Sequence, residues 1–155
     1  MNLTGETSTA GLREKVKILL VEDSPDDVFF FQRVLKKSGE ECDYTHLADG
    51  GEAVELLESM ARQESSSSQS ILMFLDLKMP VLNGFDVLSW IREKGFPDPL
   101  RVVVLSGSDD PRDRERAQAL GAADYLVKPI SMRRLEEEIR AVRGDPAQPR
   151  TPQST

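Results

Sequence analysis

The sequence predicts an α/β fold, a doubly wound parallel sheet of five strands with helices on both faces. Three observations predict it. Short apolar runs alternate five times with helical patterns, the signature of strand–helix–strand units. The runs ILMFL (71–75), RVVVL (101–105) and DYLV (124–127) are continuous rather than alternating, as parallel strands buried on both faces are. Each of them also stops abruptly at a polar residue, on the edge where such sheets hold their ligands.

Residues 1–15 are small and polar and read as a loose segment. KILLV (17–21) is the first strand, and Ser24-Pro25 starts a helix that runs to about Lys37. CDYTHLA (42–48) mixes polar and apolar residues, the pattern of an edge strand. GEAVELLESMA (51–61) carries Val54, Leu57 and Ala61 at helical spacing, and QESSSSQS (63–70) is a serine-rich loop. DVLSWIRE (86–93) and the strongly polar PRDRERAQALG (111–121) are helices. Leu135, Ile139 and Val142 mark a last helix behind the N-cap Ser131. The segment 144–155, rich in proline and polar residues, is a loose tail, which leaves one domain over 16–143.

A chain of 155 residues with 39% hydrophobic content can bury one core. Its formal net charge of -7 excludes a general basic surface for nucleic acid. No apolar run is long enough to span a bilayer, and no signal-peptide pattern opens the chain. The single cysteine, Cys42, has no internal partner for a disulfide, so a reducing cytoplasm is the expected setting.

The chemistry lies in the polar residues at the ends of the apolar runs: Glu22 and Asp23, then Asp76, Ser106 and Lys128. A bare carboxylate taken out of water costs on the order of several kcal/mol, so Asp76 belongs at the rim, in company. Three converging carboxylates repel one another unless a cation intervenes. Oxygen donors without His or Cys suit a hard ion, Mg²⁺ above all. Ser106 and Lys128 are then donors in want of an acceptor. A phosphoryl group on Asp76 would supply three acceptor oxygens and about two negative charges. The chemistry that fits is in-line phosphoryl transfer onto a carboxylate nucleophile.

Residues 16–143 resemble the receiver domain of two-component response regulators, through ILLVEDSPDD, DLKMPVLNG, VVVLSG and DYLVKP in the family's order. The resemblance implies a flavodoxin-like sheet of strand order 2-1-3-4-5 and a phosphoacceptor at Asp76. It implies that Asp23, Asp76 and the backbone carbonyl of Lys78 bind Mg²⁺, with Glu22 helping through water. Lys128 would pair with the phosphoryl group and Ser106 would move to hydrogen-bond it. Tyr125 matches the aromatic residue that turns inward on activation, and the Lys128–Pro129 bond would be cis. Glu22 and Ser106 depart from the commoner Asp and Thr, and Lys78 stands where side chains influence loss of the phosphoryl group.

The implied function is that of a stand-alone response regulator. It takes phosphate from a histidine kinase, catalyses no separate turnover, and signals to a downstream protein or phosphotransfer protein. LVEDSPDDV and DLKMP look similar to regulators that work with phytochrome-like kinases. The face 111–143 would serve a partner or a homodimer, its charged first helix being a recognition surface or a plain solvent face. The rival readings are a degenerate receiver acting as an adaptor, and a Mg²⁺-dependent phosphohydrolase. The latter usually carries a second acid two residues after its nucleophile, where this chain has Lys78.

Other residues read more plainly. His46 is an edge-strand histidine, Cys42 packs, and Gly84 serves the backbone at a helix start. Trp90 is core or flank. Val28, Phe29, Phe30 and Phe31 cover too much of a helix circumference for one stripe to bury. Either the last helix covers them, or one or two stay exposed beside the Asp76 cleft as a kinase-docking surface.

Overall fold

The computed structural model describes residues 15–63, 69–95 and 100–144. The expected loose ends, save Lys15 and Gly144, lie outside these residues, as do 64–68 of the serine-rich loop. The elements alternate as β1 (Val16–Val21), α1 (Pro25–Ser38), β2 (Cys42–Leu47), α2 (Gly50–Arg62), β3 (Ile71–Leu75), α3 (Gly84–Lys94), β4 (Leu100–Ser106), α4 (Pro111–Ala119), β5 (Asp124–Val127) and α5 (Met132–Arg143). The five strands are parallel in the order β2-β1-β3-β4-β5, the doubly wound topology that was expected.

Burial explains the apolar runs. All of β3 is buried, because β1 and β4 flank it and helices cover both its faces. One face packs Leu19, Met73 and Val104 against α2 and α3 through Leu57, Val87 and Leu88. The other packs Ile18, Leu72, Phe74 and Val103 against Phe31, Leu35, Leu135 and Ile139 of α1 and α5. Phe31 lies 5.1 Å from the Phe74 ring, tilted at 59°, a favoured aromatic geometry. β2 is an edge strand with only Leu47 buried, as its mixed pattern predicts. β5 corrects the expectation of a fully buried strand. It forms the opposite edge, so Asp124 is half-buried and Val127 is exposed.

Local chemistry sets the helix ends. Ser24 caps α1 by accepting from the Asp27 amide, with Pro25 next, and Gly39 closes the helix at φ 74°. Asn83 and Asp86 form a reciprocal capping box, so α3 begins at Gly84, two residues ahead of its apolar pattern. α4 ends at Ala119 rather than 121. Of its residues only Ala117 is buried, and the chain leaves it through Gly121 at φ 104°. Ser131 caps α5 as expected. None of the described helices is long and apolar enough to cross a membrane.

Candidate functional site at the strand ends

Parallel register brings the carboxyl ends of the central strands level. Val21 and Leu75 are partners across β1 and β3, Leu75 and Val104 across β3 and β4, and Ser106 and Val127 across β4 and β5. The residues that end these strands or come directly after them therefore share one rim. Glu22, Asp76 and Ser106 are buried there and Asp23 is exposed. Glu22, Asp23 and Asp76 each present a carboxylate oxygen, and the three atoms lie within 4.8 Å of one another. Such an all-oxygen set fits a hard divalent cation.

Lys128 enters this cluster from β5. Its ammonium stands 2.7 Å from Glu22, 2.8 Å from Asp27 and 3.6 Å from Asp76. Burial pushes the Glu22 and Asp76 carboxyls above their ordinary range, and Lys128 pulls both back. Burial also works against the Lys128 charge. Hydrogen bonds to Asp27 and Glu22 more than offset it, holding the ammonium above the usual lysine range. The charge of Asp76 is thus offset by an ammonium, and by a long contact from the Lys78 amide at 3.4 Å. The Lys78 side chain itself points to solvent.

Ser106, the last residue of β4, accepts at its hydroxyl from the Ser108 amide at 3.0 Å, and its carbonyl accepts from the Lys128 amide at 2.7 Å. Tyr125 is 6% exposed, and its hydroxyl donates to the Ser108 carbonyl at 2.7 Å. Its ring already points inward, against the β4–α4 loop. The Lys128–Pro129 bond is cis.

The first helix exposes part of its aromatic run. Phe31 is buried at 1%, while Phe29 and Phe30 are 62% and 44% exposed. Phe30 shares a groove with Asp27, Lys128, Pro129 and Ile130, next to the carboxylates. The face that α5 covers is therefore only the Phe31 and Leu35 side. Trp90 is partly buried against the core beneath α3, and Cys42 is likewise packed against the core on the α1 face.

Three features were not legible in the sequence. Asp27 is a partner of Lys128, although it lies 101 residues away in the chain. The only signal was its place in SPDD, one turn after the acidic pair. His46 is exposed, as an edge residue should be, yet its Nε2 lies 2.8 Å from the Glu22 carbonyl and ties β2 to the acidic loop. Gly84 does more than start a helix. A Cβ there would stand 2.4 Å from the Asp76 carbonyl oxygen.

A doubly wound sheet with an acidic, lysine-bearing cleft at the ends of β1, β3 and β5 defines a class of signalling module. The chain belongs to the response regulator receiver domain family, whose model matches residues 18–140. It is similar to the protein PilH of Pseudomonas aeruginosa, 30% identical over 126 residues that cover 81% of this chain and 96% of that one. It is also similar to the transcriptional regulatory protein PcoR of Escherichia coli, 32% identical over 127 residues. That match covers 81% of this chain and 50% of PcoR, so the chain spans about half the length of such relatives. Among solved structures, the bacteriophytochrome response regulator RtBRR matches with a TM-score of 0.69 at 28% identity, over 90% of this chain and 85% of that one.

Proposed function

We propose that this receiver is a single folded unit over residues 16–143 that accepts a phosphoryl group on Asp76 from a histidine kinase and signals by protein contact. The observation that carries the reading is the convergence of Glu22, Asp23 and Lys128 on the buried carboxylate of Asp76.

In the proposed step an Asp76 carboxylate oxygen attacks phosphorus in line. The new P–O bond forms as the P–N bond of a phosphohistidine breaks, and the imidazole leaves. Lys128, 3.6 Å from Asp76, is placed to pair with the oxygens of the transferred group. The Ser106 hydroxyl exchanges its bond from the Ser108 amide for one to the phosphoryl group, which moves the β4–α4 loop. Asp23, Asp76 and the carbonyl of Lys78 would hold Mg²⁺, with Glu22 helping through water. Held there, the cation would supply charge to offset the clustered carboxylates and to polarise the phosphoryl oxygens.

The exposed Phe29 and Phe30, beside the cleft, suit the docking of a kinase helix. The likeness to RtBRR favours a phytochrome-like kinase as donor. The face of α4, β5 and α5 carries the output, to a downstream protein, a phosphotransfer protein or a second copy. Such partners put the protein in a soluble, cytoplasmic setting.

An acyl phosphate differs from phosphoserine in its reactivity, and this gives the test. After transfer from an autophosphorylated histidine kinase, borohydride reduction converts a phosphorylated aspartate to homoserine. Peptide mapping should find homoserine at position 76. Homoserine elsewhere, or none with a donor that phosphorylates other receivers, contradicts the proposal.

A further inference from the structure

Lys128 has three acidic neighbours, and the two it bonds are not the proposed phosphoacceptor. Its ammonium is at hydrogen-bond distance from Glu22 and from Asp27, while Asp76, at 3.6 Å, lies beyond it. An ammonium offers three donors and no acceptor, and its bonds to Glu22 and Asp27 fix where it sits, beyond bonding distance of Asp76. Glu22 is committed to the acidic cluster and is buried. Asp27 is different. It lies in the first turn of α1, its side chain is 43% exposed, and its carboxylate is not one of the clustered ligand atoms.

We infer that Asp27 is a positioning residue for transfer to Asp76: it shares the Lys128 ammonium and draws it toward α1, so that phosphorylation must win the lysine back. The inference rests on the phosphoryl chemistry proposed at Asp76. The ordinary alternative is that Asp27 is only a first-turn acid favouring the helix dipole. Asp26 discriminates the two, since it carries the same charge in the same turn but makes no ion pair with Lys128. The Asp27 backbone amide, which serves the Ser24 cap, is untouched by a change of side chain.

The placement also gives the contact a route to the outside. Asp27 and Phe30 line the same groove as Lys128, so a protein seated on α1 meets the carboxylate that holds the lysine.

The experiment compares wild type, Asp27→Asn, Asp27→Glu and Asp26→Asn in the full chain. Two signals are read by NMR: beryllofluoride binding in the presence of Mg²⁺, by ¹⁹F, and the Lys128 ¹⁵Nζ resonance without beryllofluoride. Asp27→Asn should shift the Lys128 resonance and tighten beryllofluoride binding about threefold, the size a half-exposed ion pair carries. Asp27→Glu should restore wild-type behaviour, and Asp26→Asn should leave both signals in place. An unmoved Lys128 resonance overturns the role of Asp27. So does beryllofluoride binding that is unchanged or weaker in Asp27→Asn, or changed equally in Asp26→Asn. A wild type that binds no beryllofluoride overturns the phosphoryl reading instead, and the Lys128 resonance then reports on the contact by itself.

Discussion

The Arg114 guanidinium lies 4.6 Å from the centroid of the Tyr125 ring, and it also donates to the Tyr125 carbonyl at 3.2 Å. A third contact at 2.6 Å ties it to Asp109 in the β4–α4 loop. One cation thus joins α4, β5 and the loop that follows Ser106. The Tyr125 hydroxyl, bonded to the Ser108 carbonyl, closes the same circuit from inside.

Arg114→Ala should therefore free the Tyr125 ring. A half-exposed cation–π contact is worth about 0.5–1 kcal/mol, so the loss of stability should be of that order. Tyrosine ring relaxation by NMR is the more telling readout. Faster ring motion in Arg114→Ala, with the fold retained, is expected; an unchanged ring would show that the Ser108 bond alone fixes it.

Gly84 supports the cleft through its lack of a side chain. Its missing Cβ leaves space for the Asp76 carbonyl, which would otherwise be 2.4 Å away, and the atoms crowded are backbone and cannot rotate aside. Gly84→Ala should cost on the order of 1–3 kcal/mol, as overpacking does. Denaturant unfolding measures the cost, and it should exceed that of Gly51→Ala on α2, where the nearest atom is a side-chain oxygen at 3.3 Å.

At the far end of the sheet, Glu138 of α5 is buried, with Arg101 at 2.8 Å and Arg134 at 3.6 Å. Burial pushes its carboxyl up to about 7, helped by Asp124 and opposed by Arg101. Asp124 goes the other way. Burial opposes its charge, but hydrogen bonds from Glu138 and the Tyr125 amide, with Arg134, hold it low. The folded state therefore binds a proton at Glu138 more tightly than the unfolded chain does. Its contribution is fullest below the unfolded value of 4.5 and is lost as pH rises to about 7. The loss is on the order of 3 kcal/mol. Melting curves from pH 5 to 7.5 should show wild type losing stability relative to Glu138→Gln; parallel curves would contradict this.

Phe30 separates docking from chemistry. It is 44% exposed and lines the groove next to Lys128 with an apolar ring that offers the carboxylates no hydrogen-bonding group. Phe30→Ala should slow phosphoryl transfer from a histidine kinase about tenfold, as loss of an interface aromatic does. Phosphorylation by acetyl phosphate should keep its rate. Equal slowing with both donors would mean that Phe30 shapes the cleft rather than the docking surface.

Most of the fold and the rim was legible in the sequence, for physical reasons. Continuous apolar runs between helical patterns suit buried parallel strands, and parallel register then forces the polar residue after each run onto one rim. Asp76, Glu22, Ser106 and Lys128 were readable on that ground. The caps at Ser24 and Ser131 were readable because short hydroxyl side chains before apolar periodicity have one common use. What stayed hidden depends on distance across the fold. The Asp27–Lys128 and Arg114–Tyr125 contacts join residues on different elements, and no local pattern encodes which surface carboxylate an ammonium will choose. The exposure of Val127 was hidden as well, since an apolar run does not say whether its strand ends on the sheet's edge.

Uptake of a phosphoryl group by the Asp76 cleft is what every other role in the site depends on. Intact mass after incubation with acetyl phosphate, with and without Mg²⁺, for wild type and Asp76→Asn, puts it to the test. One added phosphoryl group is expected in wild type, dependent on Mg²⁺ and absent from the variant. An adduct that persists in Asp76→Asn, or one that forms equally well without the cation, would contradict phosphoryl uptake at Asp76.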